Sequence, residues 1–426
     1  MLGCLAESGY GIAEELSDAT IAVINTCSFI GSAREESIEA ILEVADLREK
    51  GNLKSLVVAG CLPQRYGKEL AKELPEVDIF IGTSAFRGIA DILDQADSET
   101  NRGIYVESGS THLYDDRTPR ILLGAGHSAY IKIAEGCDRV CAFCAIPGIR
   151  GSFQSRTLES VVKEAEQLGK SGVRELNLVA QDSTSWGKDL TSIPGKGRPK
   201  LHELLHALDR VSSVDWIRLL YVYPSAITNE LIEILSSGQR VLPYVDVPLQ
   251  HGSDKILRSM RRGTNADLQR RLVNKLRASI NGLTLRTTVI VGFPGETDAD
   301  YDELVSFVKE MQFDRLGVFR YSDEENTKAI ELSKKVPRKI SRERYKNLIK
   351  VQREIMKEKQ TDQIGKEDQV LLDSLINPSL GIGRLSSQAP EIDGVVHVTG
   401  PSLKIGQFAS VRITGVNEID LRAEVI

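Results

Sequence analysis

The chain has 426 residues, 41% hydrophobic and 27% charged, an ordinary globular composition that excludes long disorder and suits about three domains. Fifty-four Lys and Arg against sixty Asp and Glu leave a net charge of −6, which excludes a chain-wide basic surface for gripping nucleic acid. No run of 18 apolar residues occurs, so no membrane is expected, and six cysteines without an export signal suit a reducing cytoplasm.

The start, Met1-Leu-Gly-Cys4, has no basic or long apolar stretch before the cysteine, so it does not read as a lipoprotein signal. Thr20–Asn25 reads as a buried strand, Ser32–Glu49 as a helix and Leu56–Ala59 as a second strand. A helix around Lys68–Leu74 and a strand at Asp78–Ile81 follow. This alternation over residues 1–95 predicts a parallel sheet covered by helices. Residues 96–126 are polar and aperiodic and read as a linker.

From residue 127 the alternation resumes on a larger scale. Strands are expected at Ala129–Ala134, Glu175–Ala180, Trp216–Tyr221, Tyr244–Pro248, Leu285–Val291 and Leu316–Phe319. Helices are expected at Leu158–Leu168, Leu201–Asp209, Asn229–Leu235 and Asp300–Met311. Six strand–helix units predict a partial (β/α)6 barrel. Arg338–Gln360, with nine Lys and Arg and three Asp and Glu, reads as a solvated connector helix that ends this region at residue 360. Residues 361–426 change to short β runs at Gln369–Leu372, Val395–Val398 and Ser410–Thr414, which predict a small all-β barrel.

The strongest motif is Cys137-x3-Cys141-x2-Cys144, directly after a predicted strand. Structural zinc would want a fourth Cys or His at a short offset, and the nearest His, His127, lies ten residues upstream of Cys137. Three thiolates suit a [4Fe–4S] cluster with one iron left open. The spacing resembles that of the radical S-adenosylmethionine (SAM) superfamily. That resemblance implies that the open iron docks SAM and that SAM is cleaved to a 5′-deoxyadenosyl radical.

In a barrel the site lies at the carboxyl ends of the strands. The segments there are Val179–Ser183, Tyr221–Pro224, Pro248–Ser253 and Val289–Glu296. Gln181, Asp182, Gly292 and Glu296 are therefore candidate SAM-binding residues. Phe143 packs against adenine or is ordinary core. His251 is a satisfied structural histidine or a catalytic base.

Cys27 and Cys61 each follow a strand of the first domain, whose strand ends share one crevice. Together with the cysteine loop, these segments resemble the methylthiotransferase family essentially end to end. The family architecture is a methylthiotransferase domain, a radical SAM barrel and a C-terminal TRAM domain. Residues 25–43, 59–66, 178–187 and 389–395 look like the branch that modifies a ribosomal protein. That branch places a methylthio group on the β-carbon of an aspartate of small-subunit ribosomal protein twelve, and its sister branch modifies tRNA.

The resemblance implies a second [4Fe–4S] cluster on three cysteines of the first domain. Cys27 and Cys61 match two of them. The first ligand and its strand have no counterpart, since Met1–Tyr10 matches the helix that follows them, so a start lying upstream is expected. Cys4 then falls on a helix, as a bystander or a substitute ligand. A second departure is Asn326, where the family tends to have Gly; Asn tolerates the left-handed region best after Gly.

Two SAM molecules are implied, one as methyl source and one as radical source, with an electron donor such as flavodoxin or ferredoxin. Residues 361–426 carry five Lys and Arg and nine Asp and Glu, a net of −4, which repels RNA and complements a basic ribosomal protein. The basic helix at 338–360 faces water or meets ribosomal RNA on the ribosome. A zinc-containing, non-catalytic ribosome- or RNA-binding protein is the reading from another class.

Overall fold

The computed structural model describes residues 1–48, 51–96, 102–107, 113–124, 126–192, 194–195 and 197–426. Glu49 of the expected first helix, and residues 97–101, 108–112 and 125 of the expected linker, lie outside the described residues. The chain forms two compact units. One comprises residues 1–121, 135–154 and 322–331; the other comprises 122–134, 155–321 and 332–426. The cysteine segment thus groups with the first unit, whereas the sequence placed it within one stretch, 127–360.

The first unit opens with α1 (Leu2–Glu7), followed by β1 (Ile21–Thr26), α2 (Gly31–Arg48), β2 (Ser55–Gly60), α3 (Cys61–Glu73), β3 (Ile79–Ile81), α4 (Ile89–Ala96) and β4 (Gly103–Tyr105). The strands make one parallel sheet in the order β1-β2-β3-β4. The region read as a linker therefore contains a strand. Gly103-Ile-Tyr105 is too short to show periodicity, and pairing with β3 recruits it.

Both faces of this sheet are covered, which is why the strands read as unbroken apolar runs. Leu56, Val58 and Phe80 pack with Ile41 of α2 and Leu62 and Leu70 of α3. Val57, Ala59, Ile79 and Ile81 pack with Ile89, Ile92 and Leu93 of α4 and with Cys4 and Leu5 of α1. The cysteine segment lies between two short strands, β6 (Ala134–Glu135) and β7 (Gln154–Ser155), and carries α5 (Ile146–Arg150).

In the second unit six parallel strands follow in chain order. They are β5 (Ser128–Lys132), β8 (Glu175–Val179), β9 (Trp216–Leu219), β10 (Tyr244–Asp246), β11 (Thr284–Val291) and β12 (Arg315–Arg320). They form two three-stranded ladders, β5-β8-β9 and β10-β11-β12. Backbone hydrogen bonds from Leu242 to Ile217 and from Val222 to Asp246, each 2.9 Å, join the two. Among the described residues no ladder joins β12 to β5, so the barrel is partial.

Between the strands lie α6 (Leu158–Lys170), α7 (Leu201–Asp209), α8 (Asn229–Ser237), α9 (Asp254–Ser259), α10 (Ala266–Ser279) and α11 (Asp298–Met311). The helix starts are written in the sequence: Thr157, Thr228, Asn265 and Thr297 each accept a first-turn N–H.

Helix α12 (Arg338–Thr361) is not simply solvated. Leu348, Val351 and Ile355 are buried along one face, and Gln352 donates to the Phe313 carbonyl at 2.9 Å. Its charges disguised an apolar stripe. Beyond it β13 (Glu367–Asn377), β14 (Leu380–Arg384), β15 (Val396–Thr399), β16 (Phe408–Asn417) and β17 (Asp420–Val425) close a barrel in the order β13-β14-β15-β17-β16. Among the described residues no helix is long and apolar enough to cross a membrane.

The loop between β14 and β15 seals the amino-terminal end of the partial barrel. Arg218, on β9, donates to the carbonyls of Ser386 at 2.8 Å and Gln388 at 3.1 Å and to Glu175 at 3.0 Å. Glu175 also meets Arg384 at 2.7 Å, and Arg384 pairs with Asp373 at 2.8 Å. Asp393 accepts from the Tyr244 hydroxyl at 2.8 Å and the Ala389 N–H at 2.9 Å. These are residues of the 389–395 motif, so part of its chemistry is structural. His127, the histidine weighed as a zinc ligand, instead pairs with Asp373 at 2.8 Å.

Candidate active site

In the first unit the cysteine loop is shaped before any metal arrives. Gly136 has φ +78°, and a Cβ there would lie 2.2 Å from the Ser152 carbonyl oxygen, so only glycine fits. Cys137 N–H donates to the Gly151 carbonyl at 3.2 Å, and Phe153 N–H donates to Asp138 at 3.0 Å. These bonds tie the loop's opening to its return. Arg139 N–H points at the Cys137 sulfur at 3.4 Å, and Cys144 N–H closes a turn onto the Cys141 carbonyl at 3.2 Å. Cys137 is buried, and Cys141 and Cys144 are half-buried. Phe143 is half-buried between them.

Among the described residues no three His, Cys, Asp or Glu side chains converge as ligands of a single metal ion would. A [4Fe–4S] cluster asks for something else, one thiolate on each of several irons. Three soft sulfur donors on one pre-turned loop, with a backbone N–H directed at one sulfur, fit that group.

Cys27 and Cys61 stand side by side. β1 and β2 run parallel with Thr26 opposite Gly60, which brings the two following residues to the same edge. Gly60, at φ +106°, makes the sharp turn into α3; a Cβ would meet the Thr26 carbonyl oxygen at 2.7 Å. Ser28 hydroxyl donates to the Cys61 carbonyl at 2.9 Å. Cys27 is exposed and Cys61 buried. Burial pushes the Cys61 thiol up, while the Arg150 guanidinium, 3.0 Å from its sulfur, pulls it down. Arg150 also faces Glu135 at 3.5 Å. It reaches Cys61 because α5 packs on the start of α3 through Ala145 and Ile149. Sequence reasoning missed Arg150, whose short helix carries no periodicity to mark it. Cys4 lies in the α1–α4 core instead, so the substitute-ligand reading is not supported.

Residues 322–331 belong to this unit through Glu324, which is 1% exposed. Its carboxylate accepts from Arg34, from Arg65 at 2.8 Å and from the Ser322 hydroxyl at 2.7 Å. Arg65 also donates to the Ser28 carbonyl at 2.8 Å. Asn326 adopts φ +62°, the left-handed geometry that Asn tolerates best after Gly. Replacing it with Gly is expected to leave thermal stability equal or higher, and Asn326→Val to cost about 1–2 kcal/mol. Equal melting temperatures for Asn326→Val and the parent would contradict this.

In the second unit the strand-end residues mostly serve their own turns. Asp182 is buried and accepts from the hydroxyls of Thr184 and, at 2.6 Å, Ser185. Gln181 beside it is half-buried. Glu296 accepts from the N–H groups of Gly292 at 2.8 Å and Phe293 at 3.2 Å, and from Arg344 at 2.6 Å. It is a positioning residue for the turn after β11. Gly292 has φ +76°, and a Cβ would strike Ser341 of α12 at 2.5 Å.

His251 is fully buried and accepts at Nδ1 from the Ser253 N–H at 2.9 Å. Nε2 lies 3.5 Å from Glu296 and makes no hydrogen bond among the described residues. The buried ring is thus hydrogen-bonded on one nitrogen only. Its neighbour Gln250, at φ +75°, holds a buried Oε1 without a partner among the described residues. An orphaned acceptor at a barrel strand end is what an amine- or adenine-bearing ligand would satisfy, so this end of the barrel fits SAM.

Comparison with known proteins agrees with this geometry. The radical SAM superfamily matches residues 131–308, the TRAM domain residues 364–426, and the family described as uncharacterized protein family UPF0004 residues 1–82. The ribosomal protein uS12 methylthiotransferase RimO of Myxococcus xanthus is 46% identical over all of this chain and 88% of its own length. Those of Trichlorobacter lovleyi and Geobacter sulfurreducens are 45% and 44% identical, each over all of this chain and 94% of their own. A radical SAM methyltransferase, TsrM from Kitasatospora setae, superposes with a TM-score of 0.53 at 16% identity, covering 74% of this chain and 67% of its own; that likeness concerns the fold alone.

The fold and the cysteine loop thus define a radical SAM enzyme, a transferase that works with an iron–sulfur cluster and SAM. Within that class the chain belongs to the family of the ribosomal protein uS12 methylthiotransferase RimO.

Proposed function

We propose that this enzyme methylthiolates the β-carbon of an aspartate in ribosomal protein uS12, in the cytoplasm. The observation that carries the reading is full-length identity near 45% to enzymes named for that reaction, with the cysteine triad intact. Cys137, Cys141 and Cys144 hold the radical SAM cluster. When bound, the cluster and SAM supply one-electron cleavage to a carbon radical, which an unactivated C–H bond requires.

The protein's own groups orient and exclude water. Arg139 N–H and the Gly151–Phe153 backbone fix the cysteine loop. Glu296 and Arg344 hold the turn after β11, and Gln250 offers its free oxygen to SAM. Phe143, Gln181, Asp182 and Gly292 complete the cofactor-binding set, Asp182 and Gly292 by shaping backbone. Cys27 and Cys61, with Arg150 on the latter's sulfur, are two of the three ligands of a second, sulfur-handling [4Fe–4S] cluster.

The acidic C-terminal barrel draws the basic substrate by complementary charge, although Asp373 and Asp393 are committed inward. A flavodoxin or ferredoxin supplies the electron. Mass spectrometry of uS12 and of tRNA, after anaerobic reaction with SAM, is expected to find the methylthio group on uS12 alone. Modified tRNA with unmodified uS12 would overturn the substrate. Zinc without iron or acid-labile sulfide would overturn the enzyme.

A further inference from the structure

A cleft of about 700 Å³ opens in the second unit beside the ends of two neighbouring barrel strands. Thr184, a few residues past β8, and Ala226 and Thr228, past β9, form one side of it. It therefore lies on the face where barrel enzymes meet their reactants. Its floor is apolar: Trp186, Leu201 and Leu231 are all buried. Its rim is cationic, with Lys188, Arg198 and Lys200 all exposed.

The cations are placed rather than scattered. Lys188 donates to the Ser185 hydroxyl at 3.0 Å, the same hydroxyl that donates to buried Asp182. Arg198 donates to the Lys188 carbonyl and so pins the two ends of the intervening loop together. The starts of α7 and α8, each nine residues long, also open onto the cleft through Leu201 and Thr228 and add positive dipole ends. Nearby anions do not cancel the rim. Glu203 accepts the Lys200 N–H at 2.7 Å, and Glu230 lies near Lys200 and His202, but neither lines the cleft. In a chain with net charge −6, a three-cation rim at the reactive end runs against the overall trend.

We propose that this cleft receives the phosphate backbone of ribosomal RNA, so that the enzyme meets uS12 while the protein is seated on that RNA. The inference rests on the uS12 reading above. The polyanion next to a ribosomal protein is ribosomal RNA, and Lys, Arg and helix N-termini are the groups that contact phosphates. The apolar floor takes sugar edges, and specificity stays with the protein substrate.

The test compares the parent enzyme with the triple variant Lys188→Ala, Arg198→Ala, Lys200→Ala. The probe is small-subunit ribosomal RNA, bound across a salt series. Affinity is expected to fall at least about tenfold, and the salt slope by about two to three, for the lost phosphate contacts. KM for RNA-bound uS12 is expected to rise, while kcat, SAM cleavage and turnover of free uS12 stay unchanged. Unchanged RNA affinity and slope would overturn the inference. So would an equal rise in KM for free uS12, which would assign the cations to the protein. A parent enzyme that modifies no uS12 in any form would instead sink the uS12 reading.

Discussion

Replacing Cys137, Cys141 or Cys144 with alanine is expected to abolish 5′-deoxyadenosine formation and to lower iron by about four per chain. The geometry of the loop dictates this result. The loop is set by Gly136, whose Cβ would collide with Ser152, and by the bond from Phe153 to Asp138. Nothing on it can replace a lost thiol: the charged side chains between the ligands, Asp138 and Arg139, offer one carboxylate and one cation, and Asp138 is already engaged. Cys4→Ala is the control. It removes one sulfur from the α1–α4 core and should leave iron content and SAM cleavage as they were. Equal iron loss from Cys4→Ala and Cys141→Ala would show that the triad is wrongly assigned.

The second large effect is on stability. Glu175 is fully buried and faces two guanidiniums, those of Arg218 at 3.0 Å and Arg384 at 2.7 Å. Arg218 is itself fully buried. Glu175→Ala leaves both cations in a low-dielectric interior with one partner gone, and such a break costs about 3–5 kcal/mol. Arg384 keeps Asp373, so most of the loss falls on Arg218. The expected result is a much lower urea midpoint for Glu175→Ala and a smaller loss for Glu175→Gln, which keeps an acceptor in place. A change within about 1 kcal/mol for the alanine variant would mean that the pair behaves as a solvated one.

The sequence was most legible where local pattern and tertiary role agree. The strands β1, β2 and β3 are β-branched runs because both their faces are covered, and the helix starts carry their Thr and Asn caps. The triad stood out because its three cysteines share one loop at a fixed spacing. β4 was not, because three residues gain strand geometry only from a neighbour. Helix α12 hid its buried stripe among nine cations, one of which, Arg344, is itself buried against Glu296.

The partners of the site were the least visible. Arg150 and Cys61 are 89 residues apart, and Arg65 and Glu324 are 259 apart. Such pairs are products of folding and leave no periodic trace. For Glu296 and Asp182 the strand-end position was readable, but their hydrogen-bond partners were not. Both stand at strand ends; Asp182 spends its carboxylate on its own turn, and Glu296 divides its between its turn and Arg344.

The loop from Leu385 to Val395 has a consequence for how these enzymes can be recombined. Chain order makes the C-terminal barrel look like a detachable cassette joined by one helix. The contacts of Arg218 with Ser386 and Gln388, and of Tyr244 with Asp393, make the loop part of the catalytic barrel's own base. A chimera that exchanges residues 361–426 with those of a distant relative would remove a stopper cut for this bottle. Grafts that keep residues 384–395 and exchange only the surrounding strands preserve it.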